Sequence, residues 1–295
     1  MVRNSSLLSR TFDLSLNLFM IMLGIVCLLP LVQLFATSLS AGHAVDAGLV
    51  KLWPVGFNID SYLYAANNPE FVRSLWISVQ RMVLGVSFSL LLVILAAYPL
   101  SKESENFSFR TVYVWLIVIT MLFSAGLVPN YMLIRDLGML DTIWALIFPK
   151  SVALLAFNVV LLLNFFRGLP KELEEAAFMD GAGHWRMLWQ IYLPLSKPAL
   201  ATIFLLISID HWNSWFDGIL FMNTPDHYPL SSYLRTVILQ NVLDLSVEEM
   251  ARLQNISNST NQAAQVFLGA LPILAVYPFL QRHFAKGIVL GSVKE

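Results

Sequence analysis

The stretch Leu16-Asn-Leu-Phe-Met-Ile-Met-Leu-Gly-Ile-Val-Cys-Leu-Leu-Pro-Leu-Val-Gln-Leu-Phe-Ala-Thr37 decides the class of fold. Its apolar run is interrupted only by Asn17, Gly24, Pro30 and Gln33. At about 1.5 Å per helical residue it is long enough to cross a hydrocarbon core of about 30 Å. A cleavable signal has a shorter hydrophobic region, so Arg3 and Arg10 read as the cytoplasmic flank of a span that stays. Cys27, the single cysteine, lies in the middle of this run, where a lone thiol behaves as a small hydrophobe and not as a redox or metal group.

The rest of the chain repeats the pattern. Of 295 residues, 57% are hydrophobic and 13% charged, and the mean hydropathy is +0.68. A soluble domain carries roughly twice that share of charge. Further apolar runs cover about Ser74 to Leu100, Thr111 to Val128, a fourth region ending at Phe166, Pro198 to Phe221 and Ala263 to Leu280. The expected fold is therefore all-α, a polytopic membrane protein with about six transmembrane helices in a single domain, 1–295. Pro149 with Lys150 divides the fourth region, and the part before it reads as interfacial. Ser38 to Glu70 is polar and turn-rich, with Trp53, Pro54, Tyr62 and Tyr64 suited to the headgroup level. Met222 to Gln262 reads as a long extracytoplasmic excursion. No internal repeat or low-complexity tract is visible.

Positive residues stay on the cytoplasmic side. With both termini inside, Arg3, Arg10, Lys102, Arg110, Arg167, Lys171, Arg186, Lys197, Arg282, Lys286 and Lys294 are cytoplasmic. A smaller set, Lys51, Arg73, Arg135, Lys150, Arg235 and Arg252, is spread over longer outer loops. The net charge of -1 and the absence of a basic stripe interleaved with aromatics exclude a nucleic-acid partner.

The loop between the fourth and fifth spans, residues 167–198, carries the most information. Pro170 stands where a helix start accepts proline, and Glu172, Glu174 and Glu175 place negative charge at the positive end of the helix dipole. Ala176 and Ala177 offer a face without bulk. Gly181 and Gly183 relax the backbone, an amphipathic turn from Trp185 to Tyr192 follows, and Pro194 and Pro198 interrupt helix before the next span. Two short helices with a bend suit either a docking surface for a cytoplasmic partner or an interfacial amphipathic helix.

The run Glu175-Ala176-Ala177, then Gly181, then Ile191, Leu193 and Pro194 resembles the EAA motif of bacterial ABC importer permeases, with its spacing kept. Pro170-Lys171-Glu172-Leu173-Glu174-Glu175-Ala176-Ala177 followed by Asp180-Gly181-Ala182 is similar to the carbohydrate-specific, maltose-type branch. Trp212-Asn213-Ser214-Trp215-Phe216 with Tyr228-Pro229-Leu230, and the ending Tyr277 to Lys294, agree with it. The resemblance implies a type I importer permease in the bacterial inner membrane that forms half of a pathway for a carbohydrate, such as an oligosaccharide or alginate. It also implies a second permease subunit in a heterodimer, two ATP-binding subunits and an extracytoplasmic solute-binding protein. The cytoplasmic loop becomes a coupling helix using Glu172, Glu175, Ala176, Ala177, Asp180, Gly181, Ala182, Ile191, Leu193 and Pro194, with the tail Arg282 to Glu295 as a second contact. In this reading Glu175 anchors the loop in a cleft of the ATP-binding subunit, the alanines allow close approach and Gly181 supplies the bend. The chain has no Walker-type glycine loop, so ATP and Mg belong to partner subunits and the chain itself has no catalytic residue, metal or cofactor.

Polar residues inside spans, Gln80, Arg81, Asn158, Asn164, Asp210, His211 and Asn213, are expensive in hydrocarbon and are expected at the bundle interior, the pore or a boundary. Interhelical hydrogen bonding is one reading. The other is sugar contact, strongest for Asp210, His211, Trp212, Asn213 and Trp215, which combine aromatic platforms with hydrogen-bonding groups. A basic pore lining would suit an acidic sugar, yet Arg81 is the one arginine within a clear span. Asn255 and Asn258 begin glycosylation-type triplets that a bacterial importer would not use. An ion-driven secondary transporter leaves the loop unexplained, and the five histidines form no H-E-x-x-H site for a membrane enzyme.

Overall fold

A computed structural model describes residues 7–103, 107–123, 125–240 and 257–291, and every regular element among them is helical. The first helix, α1 (Leu7–Ser38), contains the expected first span, and its side chains from Thr11 to Gln33 are all exposed. A helix apolar on every side and left uncovered over this length suits a lipid solvent. Pro30 lies inside it without ending it.

The chain forms two compact units. The first holds the chain through Val72 together with Thr236–Gly269. Here the turn-rich stretch after α1 contains two short helices, α2 (Gly42–Asp46) and α3 (Asp60–Asn67). Ala36, Ala44 and Val50 form a small core. Ser40 donates to the Ala36 carbonyl at 2.6 Å and accepts from the Val55 amide at 3.0 Å, while the Ser38 and Tyr62 hydroxyls lie 2.6 Å apart.

The second unit, Arg73–Arg235 with the chain from Ala270, carries the features of functional interest. It takes up α4 (Pro69–Ser101), α5 (Arg110–Leu122), α6 (Leu127–Asp136) and α7 (Ile143–Arg167). Then come α8 (Lys171–Met179), α9 (His184–Met187), a wide π-helical turn (Leu188–Tyr192) and α10 (Leu193–Leu195). The chain continues with α11 (Lys197–Asn213), α12 (Phe216–Phe221), a 3-10 turn (Pro225–His227) and α13 (Leu230–Gln240). Last is α14 (Asn258–Gly291), which covers the expected sixth span and belongs to the first unit through Gly269 and to the second from Ala270. Arg3, Arg252, Asn255 and the last four positions of the tail, Lys294 among them, lie outside the described residues.

The core of this unit is made where α4, α7 and α11 meet. Val93, Ala97, Val159, Leu162, Phe166, Ile203 and Ile207 are almost fully removed from solvent. A smaller cluster joins Ile134 of α6, Ala145 and Leu146 of α7, and Phe221 and Met222 at the end of α12. Ser89 of α4 donates to Ser151 of α7 at 2.8 Å, an interhelical bond of the kind expected for polar residues within spans.

Among the described residues, α1, α4 and α7 are each long and apolar enough to cross a membrane. Two other expected spans are broken. The third is α5, whose 13 residues reach only about 20 Å, followed by α6 at 115° to it. The fifth stops at Asn213, where Ser214 turns extended at ψ 108°, and resumes as α12. Conversely, the division expected at Pro149 is absent: α7 runs continuously through that proline. Membrane helices tolerate proline because neighbouring groups re-satisfy the freed carbonyl. The excursion expected over 222–262 holds regular helix as far as Gln240.

Pro194 explains the unusual turn before α11. It has no N–H to return to the Gln190 carbonyl, and the backbone widens just ahead of it, with the Leu193 amide donating to the Leu188 carbonyl. Pro198 sits at the second residue of α11, where a missing N–H costs nothing, and the axis bends by 81° between these helical stretches.

Candidate functional site

The loop after α7 is built on α8. Pro170 precedes its first turn, which carries Glu172 and Glu174. The helix ends in a Schellman pattern: the Ala182 amide donates to the Ala177 carbonyl at 2.9 Å, and Gly181 to Phe178 at 3.0 Å. Gly181 has φ +75°, the left-handed region that glycine enters without penalty, and an added Cβ would meet nothing within 4 Å. Its requirement is conformational and not one of space. Gly183 is extended at φ -75° and needs no glycine for its backbone.

The two faces of α8 differ. Glu172, Glu175, Ala176 and Met179 fall at i, i+3, i+4 and i+7, and all four are exposed, Met179 to 88%. Asp180, Gly181 and Pro194 are exposed as well, and Trp185 and Trp189 present apolar area on the following stretch. Ala182, Ile191 and Leu193 are half-buried against the core. Ala177 is buried in the chain's own core, so of the two alanines expected to offer an outward face only Ala176 does so.

Beneath α8 lies a cluster that the motif does not reveal. Lys102, immediately after α4, is 7% exposed, and its Nζ donates to Glu174 Oε1 at 2.7 Å and to the Tyr192 hydroxyl at 2.9 Å. Tyr192 in turn donates to Glu174 Oε2 at 2.6 Å, so both carboxylate oxygens are engaged. The ammonium lies 4.5 Å from the Tyr98 ring centroid and 4.3 Å from that of Tyr192, within cation–π range. Phe166 and Tyr98 each pack edge-on to Tyr192 at 5.2 Å. Burial pushes the Lys102 ammonium below its ordinary value, opposed by Glu174. Burial also pulls Glu174 upward, but the hydrogen bonds from Lys102 and Tyr192 and the Lys102 charge outweigh it and hold the carboxyl below its usual range. A second, exposed ion pair joins Lys171 to Glu103. Arg110 Nε and Arg167 Nη2 both donate to the Leu100 carbonyl at the end of α4, at 3.0 and 3.3 Å.

The polar residues expected to line a path separate in space. His211 and Trp212 are buried, Asp210 is half-exposed and 3.6 Å from Lys150, and Asn213 and Trp215 are exposed at the break after α11. His211 packs on the backbone of α4 at Gly85, where a Cβ would come within 2.6 Å of the imidazole. Neither ring nitrogen of His211 has a hydrogen-bond partner among the described residues. Asn158 is buried with its amide donating to the Leu154 carbonyl at 2.8 Å, whereas Asn164 is exposed.

Arg81 does not line a path. It is fully buried, paired with Asp217 of α12, and its Nη1 donates to the Ser214 carbonyl at 2.9 Å. Ser231 donates to the same carbonyl at 2.8 Å, and Ser214 Oγ to Asp217 at 3.0 Å. The broken end of α11 thus finds in Arg81 and Ser231 the donors that helix continuation would have supplied. Of the places expected for it, Arg81 takes the bundle interior, with its charge neutralised inside the protein.

Residues 5–289 match the family described as binding-protein-dependent transport system inner membrane component. The chain belongs to this family. The permease is 38% identical over 287 residues to protein LplC of Bacillus subtilis, covering 97% of this chain and 95% of that one. It is 37% identical over 287 residues to the polygalacturonan/rhamnogalacturonan transport system permease protein YtcP of the same organism, covering 97% and 99%. Among solved structures, one chain from a bacterial ABC transporter involved in the import of the acidic polysaccharide alginate superposes with a TM-score of 0.84. That match has 33% identity and covers 95% of this chain and 98% of the other. The permease is accordingly an inner-membrane transport component with an ABC importer fold, and not an enzyme.

Proposed function

We propose that this permease forms half of the translocation pathway for a carbohydrate and is driven, through residues 167–198, by ATP hydrolysis in a separate subunit. The observation that carries the coupling role is the two-sided build of α8. One face, Glu172, Glu175, Ala176 and Met179, is open to a partner, while the other is tied into the core through Glu174 and Ala177. A surface that receives a push needs such a footing, and an interfacial amphipathic helix does not place a carboxylate and the most exposed apolar side chain on these opposite sides. The carbohydrate follows from the relatives, two of which carry polysaccharides in their descriptions.

The working assembly is a heterodimer of two permeases with two ATP-binding subunits, which hold ATP and Mg, and an extracytoplasmic solute-binding protein that delivers the sugar. In that arrangement both termini and α8 face the cytoplasm, and the stretch within 222–262 faces outward. Asn213 and Trp215, exposed at the break of the fifth span, are the groups of this chain best placed to touch passing sugar. Trp215 offers a ring face already stacked by Arg235 at 4.9 Å.

The test is to purify the permease from its native membrane in mild detergent and assay ATP hydrolysis with and without the binding protein, loaded or empty. Co-purification of a second permease and an ATPase whose rate rises with loaded binding protein is expected. Recovery of the chain alone, without ATPase, would favour an ion-driven transporter.

A further inference from the structure

We propose that α4 is the rod that carries the movement of α8 to the break in the fifth span, with Lys102 as its joint at one end and Arg81 at the other. The proposal rests on the reading that α8 receives the stroke of the ATP-binding subunit, and it adds which residues pass that stroke on.

Both joints are built alike. Each is a cation almost wholly withdrawn from solvent, on or just past α4, and bonded to a carboxylate from a distant part of the chain: Lys102 to Glu174, and Arg81 to Asp217. Buried ion pairs contribute little to stability, because desolvation offsets their attraction; their best-attested use is to fix one geometry against its alternatives. Two on one helix, about 31 Å apart at 1.5 Å per residue, span roughly the thickness of a bilayer core. Between them α4 is continuous helix, held closely to α7 by Ser89 and Ser151 and to α11 where His211 sits on Gly85.

At the loop end the joint is tight in bonding and loose in packing. Lys102 lies between a cavity of about 500 Å³, bordered by Arg110, Arg167 and Lys171, and an apolar one of about 350 Å³, bordered by Leu95, Trp185 and Leu188. With space on both sides, the directional bonds among Lys102, Glu174 and Tyr192 fix where α8 stands relative to α4. At the far end Arg81 holds the Ser214 carbonyl and Asp217 together, so a displacement of α4 acts on both sides of the break. That break is where Asn213 and Trp215 are exposed. Lys102, Glu174, Tyr192 and Arg81 are thus positioning residues for transport.

The experiment uses the complete transporter in proteoliposomes and reads sugar delivered per ATP hydrolysed. A merely structural defect lowers the number of working complexes and reduces both rates together, leaving that ratio unchanged. Lys102→Met is expected to lower the ratio at least tenfold. Tyr192→Phe, which removes a single oxygen and keeps the ring, is expected to lower it about twofold to fivefold and serves as the criterion if Lys102→Met does not assemble. Ratios that stay within twofold of the parent in every variant that assembles overturn the proposal. Glu175→Arg on the outer face separates the two levels. If it leaves the ATP-binding subunit bound and stimulated, the underlying reading of α8 fails; if it releases that subunit while the ratio is unchanged in the other variants, only the rod fails.

Discussion

Gly181 shows how a motif position acquires a physical meaning. Its φ of +75° costs a residue with a Cβ about 1–2 kcal/mol, and the open space around it means that side-chain volume adds nothing. Gly181→Ala is therefore expected to impair stimulated ATPase nearly as much as Gly181→Leu, larger but unbranched at Cβ, with Gly181→Asn milder than either because asparagine tolerates the left-handed region. A graded loss with side-chain size would refute this. Glu174 gives a pH prediction. Its carboxyl is held below the ordinary 4.5, so its contribution is fully present above that value and is lost as pH falls through the lowered one. The protection factors of the amides across Lys171–Met179, taken against the intrinsic exchange rate at each pH, should be flat above about pH 5, fall below the ordinary carboxylate range, and lose that dependence in Glu174→Gln. In the sequence Glu172, Glu174 and Glu175 are three equivalent acids. Only the helical phase of Glu174 relative to Ala177, three residues on, marks it as inward, and Lys102 reads as one more charge of a cytoplasmic loop.

Among the elements, the break after α11 depends on one buried guanidinium. Removing it in Arg81→Met leaves Asp217 partly buried without its partner, a change that typically costs about 3–5 kcal/mol, whereas losing both charges together is often nearly neutral. Thermal unfolding in detergent should show Arg81→Met well below the parent, and Arg81→Met with Asp217→Leu recovering a large part of the difference. A double variant as unstable as the single would contradict the pairing. The long apolar runs of α1, α4 and α7 were legible because hydropathy over that length leaves no other solvent. The breaks were not: the apolar runs from Thr111 to Val128 and from Pro198 to Phe221 each read as a single span by hydropathy alone. What separates α11 from α12 is a set of hydrogen bonds from Ser231, in the next helix, and from Arg81, 133 positions away in sequence. Pro149 misleads in the other direction, since a proline that divides a soluble helix is accommodated in a membrane one.

At the scale of the whole molecule, the permease presents uncovered apolar surface along α1, a polar and aromatic region at the end of the fifth span, and the exposed stripe of α8. Family and fold were readable from the spacing of Glu175, Ala176, Ala177, Gly181, Ile191, Leu193 and Pro194, a pattern that fixes a helix, a left-handed turn and a wide return in that order. The ties that fix that loop to the rest of the unit were not readable, because Lys102 and its partners Glu174 and Tyr192 lie 72 and 90 positions apart in sequence. The central claim, that the stripe of α8 is where an ATP-binding subunit applies its force, is tested most directly by photo-crosslinking in native membranes from Met179, 88% exposed, and from Met187, fully buried. A covalent product with an ATP-binding subunit is expected from position 179, changed in yield by ATP, and none from position 187. Crosslinks from 179 to lipid alone would contradict it.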